Sequence, residues 1–186
     1  MNLKEYIIGN RMERMPDIAF RAMSLVFRIR DFFSPPEGRI GDLGIEEGFT
    51  IVDYGCGPGR YVKVASRLVG EKGKVYAVDI HELAVEAVKE RIHREGLTNV
   101  VPLLARGYSC DIPDHEAHMI YALDMFHMVR EPTPFLKELH RILKPDGFLV
   151  LETGHQPVER AAGKVRDSGS WRIVEQGKGR LRCEPL

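Results

Sequence analysis

The chain has 186 residues, 44% of them apolar and 29% charged, which is ordinary for a globular protein and fits one domain better than two. Its 27 basic side chains balance 27 acidic ones, so no overall field favours nucleic acid, and no apolar run approaches the length of a membrane span. Met1 to Tyr6 lacks the apolar core of a secretory signal, and Cys56, Cys110 and Cys183 form no Cys-x-x-Cys pair, which predicts a soluble, cytoplasmic protein with free thiols.

Taken in chain order, Pro16 to Phe33 predicts a helix: Ile18, Ala22, Leu25, Ile29 and Phe33 recur near the 3.6-residue period, and Pro35-Pro36 stops it. Phe20, Met23 and Phe27 make a second stripe. A helix apolar over so wide an arc has more than one side to bury, in the core or as a lid over a ligand. Gly38 to Gly48 reads as a polar connector. Residues 1–48 are therefore expected to form a helical segment and connector ahead of a core spanning 49–186, the whole being one domain.

The next stretch, Thr50-Ile51-Val52-Asp53-Tyr54-Gly55-Cys56-Gly57-Pro58-Gly59-Arg60, is the most informative in the chain. An apolar strand ends on a carboxylate and enters three alternating glycines, and a helix-compatible segment, Tyr61 to Val69, follows. Glycine lets backbone approach a ligand without a Cβ in the way, and the start of a helix points N–H groups at the same spot. The dinucleotide fingerprint Gly-x-Gly-x-x-Gly requires glycine where Arg60 stands. The spacing here is Asp-x-Gly-x-Gly-x-Gly, which disfavours an NAD-dependent oxidoreductase.

Short apolar runs then alternate with amphipathic segments. Ile51 to Tyr54, Val75 to Asp79, Val100 to Leu104, Met119 to Leu123 and Phe148 to Glu152 are predicted strands. Tyr61 to Val69, Leu83 to Glu95 and Thr133 to Leu143 are predicted helices, with Ala84, Ala87, Val88 and Ile92 on the inner face of the second. Lys144-Pro145-Asp146-Gly147 reads as a turn into the last of these strands. The alternation implies βαβ units and a parallel sheet covered on both faces. Pro157 to Asp167 is expected to be helical, with Trp171 to Glu175 and Arg180 to Glu184 as strands about a Gly177-Lys178-Gly179 turn. Asp79 ends the second strand 26 residues after Asp53, about where a ribose-binding acid is needed.

These features together resemble the class I S-adenosylmethionine-dependent methyltransferases, in particular their small Rossmann-like members. The Leu-Lys-Pro-Asp-Gly-Phe turn is a further point of likeness. The resemblance implies a three-layer α/β/α fold on a mostly parallel seven-stranded sheet with a C-terminal antiparallel hairpin. It implies S-adenosylmethionine as cofactor, S-adenosylhomocysteine as product, and contact through Asp53, Tyr54, Gly55, Cys56, Gly57, Gly59, Asp79, Ile80, Gly107, Tyr108 and Leu123. In it, Asp79 holds the ribose, Gly55 to Gly59 pass the methionine end, and Asp53 lies near the amino group. The chain departs from the family pattern twice. Gly107-Tyr108-Ser109 stands where Gly-Asp-Ala is frequent, so the acid that reads the adenine amino group is replaced by Tyr108. Ala117-His118-Met119-Ile120 stands where Phe-Asp-x-Ile is usual.

Methyl transfer from a sulfonium depends more on holding the reactants in line, roughly 7–11 kcal/mol, than on a base, about 3–5 kcal/mol. The segment Leu123-Asp124-Met125-Phe126-His127-Met128 leaves a strand end where ligands bind in open parallel sheets. It resembles the Asp-x-x-His stretch of small-molecule methyltransferases, which makes Asp124 and His127 the candidate catalytic residues, with a structural histidine as the other reading of His127. It lacks the Asn/Asp-Pro-Pro-Tyr/Phe of nucleic-acid amino-methyltransferases and the Pro-Cys of cytosine C5 enzymes, so a small-molecule acceptor is expected. His115 and His118 are one residue too close for the helical zinc motif, and no metal is expected. A cofactor-binding module without turnover is the alternative reading.

Overall fold

The computed structural model describes residues 14–33, 36–177 and 179–186; Met1–Tyr6, Pro35 and Lys178, read above from sequence, lie outside them. Strands β1 (Thr50–Tyr54), β2 (Lys74–Asp79), β3 (Val100–Leu104), β4 (Ala117–Ala122) and β5 (Leu143–Glu152) run parallel. β7 (Arg180–Pro185) lies antiparallel between β5 and β6 (Trp171–Gly177). The sheet order is β3-β2-β1-β4-β5-β7-β6. The chain winds outward from β1 to β3 and returns to place β4 on the other side of β1. The crevice beyond the ends of β1 and β4 is therefore the topological switch point, where α/β sheets bind ligands.

Helices α1 (Asp17–Phe33) and α2 (Glu37–Ile40) precede β1. The crossovers are α3 (Val62–Val69), α4 (Glu82–Glu95) and α5 (Pro132–Ile142), and α6 (Val158–Asp167) leads into the hairpin. Strand residues alternate between two buried layers. In β4, Ile120 and Ala122 pack with Phe135, Leu136 and Leu139 of α5, whereas Met119 and Tyr121 pack with Val62, Ala65 and Val69 of α3. Burial on both faces is why these strands read as continuous apolar runs. Ala84 and Val88 of α4 are buried as expected, Val85 joins them, and Ala87 and Ile92 are only half-buried. Trp171 is buried at the start of β6 and donates its indole N–H to the Leu136 carbonyl at 3.1 Å, tying the hairpin to α5.

Three local expectations change. The connector contains the short helix α2, which buries Ile40. Lys144–Gly147 does not precede β5 but loops out within it: Ala117 pairs with Leu143, and pairing resumes at Met119 with Phe148. In α1 the stripe Ile18, Ala22, Leu25 and Ile29 faces solvent, with Ile18 80% exposed, while Phe20 is 4% exposed and turned inward. Periodicity located the stripes and left open which one meets the protein.

His118 accounts for one departure from the family pattern. Its Nδ1 accepts the Thr50 N–H at 2.9 Å, its Nε2 lies 2.7 Å from Lys144 Nζ, and its ring stacks on Phe49 at 4.9 Å. It thus fastens the start of β1 to β4 and to the loop inside β5. His118→Ala is expected to destabilise the protein by about 1–3 kcal/mol in urea unfolding, because the Thr50 N–H loses its acceptor; a change under about 0.5 kcal/mol would show that water replaces the ring.

Candidate active site

The site is built where β1, β2 and β4 end. β1 turns at Gly55, whose φ of +80° excludes an ordinary side chain and whose Cβ would stand 2.7 Å from Met125 Cγ. The Gly55 and Cys56 N–H groups both donate to the Val78 carbonyl, at 2.8 and 3.0 Å, folding the loop back over β2. Asp79 then fixes the crest: Oδ2 accepts the Gly57 N–H at 2.8 Å and Oδ1 accepts the His81 N–H at 2.9 Å. Each carboxylate oxygen has a second lone pair, so the group can hold the loop and still accept from a ligand hydroxyl. Burial, the largest influence, raises the Asp79 carboxyl above its usual range, against the pull of those two N–H groups.

A cavity opens above this loop. Of the residues that the resemblance implies at the cofactor, Tyr54, Gly55, Cys56, Gly57, Asp79, Ile80, Gly107, Tyr108 and Leu123 line it, and so does Asp124. Asp53 and Gly59 do not line it: Asp53 is buried within β1, and Gly59 faces Val88 of α4. Asp53 is 2% exposed, and its register partner on β4 is Tyr121. Burial pushes the Asp53 carboxyl up to about 8; the nearby Tyr121 hydroxyl opposes the shift and the charge of Asp79 adds to it. Among the described residues, neither Asp53 Oδ2 nor the Tyr121 hydroxyl has a hydrogen-bond partner.

Tyr108, which replaces the frequent acid, is held at both ends. Its carbonyl accepts the Tyr54 hydroxyl at 2.8 Å, its own hydroxyl accepts the Glu131 N–H at 3.2 Å, and its ring meets the edge of Phe135. It presents a fixed aromatic wall to the cavity. Helix α1 covers the opposite side with Phe20, Met23 and Phe27, preceded by Arg14 and Met15. Phe20 stacks on His81 at 4.4 Å, Arg14 Nη2 lies 2.8 Å from Glu82 Oε2, and the Arg60 guanidinium stands 5.7 Å over the Phe27 ring. The cover is therefore fastened along its length to the first turn of α4 and to the end of the glycine loop.

His127 is placed elsewhere. A 3₁₀ turn, Phe126–Met128, carries it out of the lining to pack on Gly154, where a Cβ would collide with its ring, and edge-on to His155 at 5.0 Å. Burial, followed by repulsion from His155, lowers its pKa. Arg60, Tyr61, His81 and Met125 line the cavity without having been singled out from sequence. Their nearness in the chain to Gly59, Asp79 and Asp124 was the available signal. Arg14 offered none, since its place depends on how α1 docks. Among the described residues no cluster of three or more His, Cys, Asp or Glu could hold a metal ion, and no helix is long and apolar enough to cross a membrane.

Residues 52–151 match the family model described as a methyltransferase domain, a span running from β1 to β5 through every loop of this cavity. The chain belongs to the methyltransferase domain family. By family and fold it belongs with the class I S-adenosylmethionine-dependent methyltransferases, which sets aside the oxidoreductase alternative. The ubiquinone/menaquinone biosynthesis C-methyltransferase UbiE of Escherichia fergusonii is 30% identical over 132 residues, covering 70% of this chain and 53% of that protein. The chain thus spans about half the length of the curated relatives it matches. A crystal structure of a SAM-dependent methyltransferase from Aquifex aeolicus superposes with a TM-score of 0.71 at 31% identity, covering 82% of this chain and 90% of that one. An arsenic(III) S-adenosylmethionine methyltransferase from Chlamydomonas reinhardtii shares the fold, with a TM-score of 0.59 at 19% identity over 75% of this chain and 62% of that one.

The cavity suits the family's cofactor. Gly57 and Gly107 have positive φ, and no protein atom lies within 4 Å of where a Cβ on either would stand, so backbone lines open space. Asp79 and Tyr108 add a carboxylate and an aromatic ring to the same lining, groups that can accept hydrogen bonds and face a flat ring.

Proposed function

We propose that this protein transfers the methyl group of S-adenosylmethionine to a small, largely apolar acceptor lying between α1 and the Leu123–Met125 segment. The observation that carries the reading is the pairing of the Asp79-braced glycine loop with an opposing wall of Met15, Phe20, Met23 and Phe27 in one cavity. When bound, the cofactor supplies an activated methyl group. The chain's own work is then to orient the acceptor and keep water out, the larger part of catalysis for such a displacement. Asp124 is the carboxylate in the lining on that side, 3.4 Å from Arg39 Nη2, and is our candidate to take a proton from an acceptor that must lose one. His127, packed on Gly154, is assigned to structure.

The test is production of S-adenosylhomocysteine, followed by mass spectrometry, across a panel of acceptors. Apolar aromatic acceptors with a methylatable carbon come first, since the name of the UbiE relative specifies C-methylation and the wall here is apolar. Acceptor-dependent product above background is expected. Binding of S-adenosylhomocysteine without turnover on any class would favour the non-catalytic module. Failure to bind it at all would sink both.

A further inference from the structure

Asp124 has φ of +57°, a left-handed conformation that is disfavoured for a residue other than glycine. The turn has a use. It lies just past the end of β4 and bends the chain where Leu123, Asp124 and Met125 all line the cavity. The same turn brings Met125 down on Gly55, where its Cγ occupies the space a Cβ would need.

Something must hold Asp124 there, and the structure identifies it. The Asp124 N–H donates to Glu152 Oε2 at 3.0 Å, from the end of the neighbouring strand β5. Both Glu152 oxygens accept from Arg39 Nη2, at 2.6 and 2.7 Å, and the Arg39 carbonyl in turn accepts from Arg180 at 2.7 Å. The Glu152 side chain is 15% exposed, so these are shielded, charge-assisted bonds. Neither Arg39 nor Glu152 lines the cavity; they act through the backbone that does.

We propose that Glu152, clamped by Arg39, is a positioning residue that holds Asp124 in its left-handed turn and so sets the Leu123–Met125 wall of the cofactor and acceptor cavity. The proposal rests on the functional reading above insofar as that cavity is the active site. Arg39 comes from the segment ahead of β1, so the same clamp joins the N-terminal region to the ends of β4 and β5.

A double-mutant cycle separates positioning from plain structural support. S-adenosylhomocysteine affinity is measured by calorimetry for the parent, Glu152→Ala, Asp124→Gly and the double variant. Glycine occupies the left-handed region without strain, so it needs no clamp. Glu152→Ala is expected to weaken binding about tenfold in the parent and less than threefold in the Asp124→Gly background. An equal factor in both backgrounds would overturn the proposal, since loss of the Arg39 partner alone acts regardless of the residue that follows Leu123. Glu152→Gln keeps an oxygen for the Asp124 N–H and should bind within threefold of the parent; a tenfold loss there would also overturn it, and this variant decides if Glu152→Ala does not fold. Should the parent not bind S-adenosylhomocysteine, the functional reading fails separately, and the same cycle is read in melting temperature. Glu152→Ala is then expected to cost about 3–6 °C in the parent and less than half that in the Asp124→Gly background, equal shifts again overturning it.

Discussion

Asp79→Ala is expected to weaken S-adenosylhomocysteine binding at least 100-fold, close to 3 kcal/mol. The size follows from the double duty of the carboxylate. It receives the Gly57 and His81 N–H groups, at 2.8 and 2.9 Å, and in the proposed reading it is also the acceptor offered to the ribose. Alanine removes the ribose partner and strands two shielded backbone donors, each worth about 1–3 kcal/mol, so the loop loses its shape as well as its charge. Asn is no remedy: its amide group turns a donor toward one of those two N–H donors, and Asp79→Asn should fall within tenfold of the alanine variant. Calorimetric titration decides. A loss below about fivefold for Asp79→Ala would mean that the glycine loop holds itself and that the ribose lies elsewhere.

Asp53→Asn should reduce the pH dependence of stability in the cofactor-free protein. The folded-state pKa of Asp53 is about 8, against an ordinary carboxyl near 3.9 in the unfolded chain. Between those values the folded state holds a proton that the unfolded state has released. Stability from this group is therefore complete below about pH 4 and is lost as pH rises toward 8. At pH 8 the loss is on the order of a few kcal/mol, since each tenfold difference in proton affinity is worth about 1.4 kcal/mol. Asparagine carries no titrating proton and removes this contribution, while Asp79, also raised, leaves a smaller slope of the same sign. Urea unfolding at pH 5, 7 and 8 measures it, and parallel slopes for parent and Asp53→Asn would refute the assignment. A ligand ammonium near Asp53 favours the ionised form, so S-adenosylhomocysteine should bind the parent more tightly as pH rises over this window and the variant with less change.

The parts of the site that could be read from sequence are those that are local. An apolar run, a carboxylate and three glycines at fixed spacing dictate a strand, a turn and a backbone cradle whatever surrounds them, and Asp79 ends the next strand of the same βαβ unit. The strands and crossover helices were legible for the same reason. What was not legible depends on distant contact. Arg39 reaches Glu152 across 113 positions, and no periodicity or motif links them. The two stripes of α1 were visible as stripes, but the sheet and loops that decide which faces inward lie elsewhere in the chain. His127 shows the limit at short range: three residues from Asp124, it is rotated off the cavity by a 3₁₀ turn whose need becomes apparent only once Gly154 and His155 are seen beneath it.

The fastening of α1 has a consequence for timing. Phe20 on His81, Arg14 on Glu82 and Phe27 under Arg60 lie over the cavity in which we propose that the cofactor binds. Each contact is weak, with an exposed ion pair worth at most about 1 kcal/mol, and on the proposed reading the cofactor leaves past them. Dwell time would then follow how readily one helix peels away, quickening with ionic strength as the Arg14–Glu82 attraction is screened, while the chemistry beneath it stays unchanged.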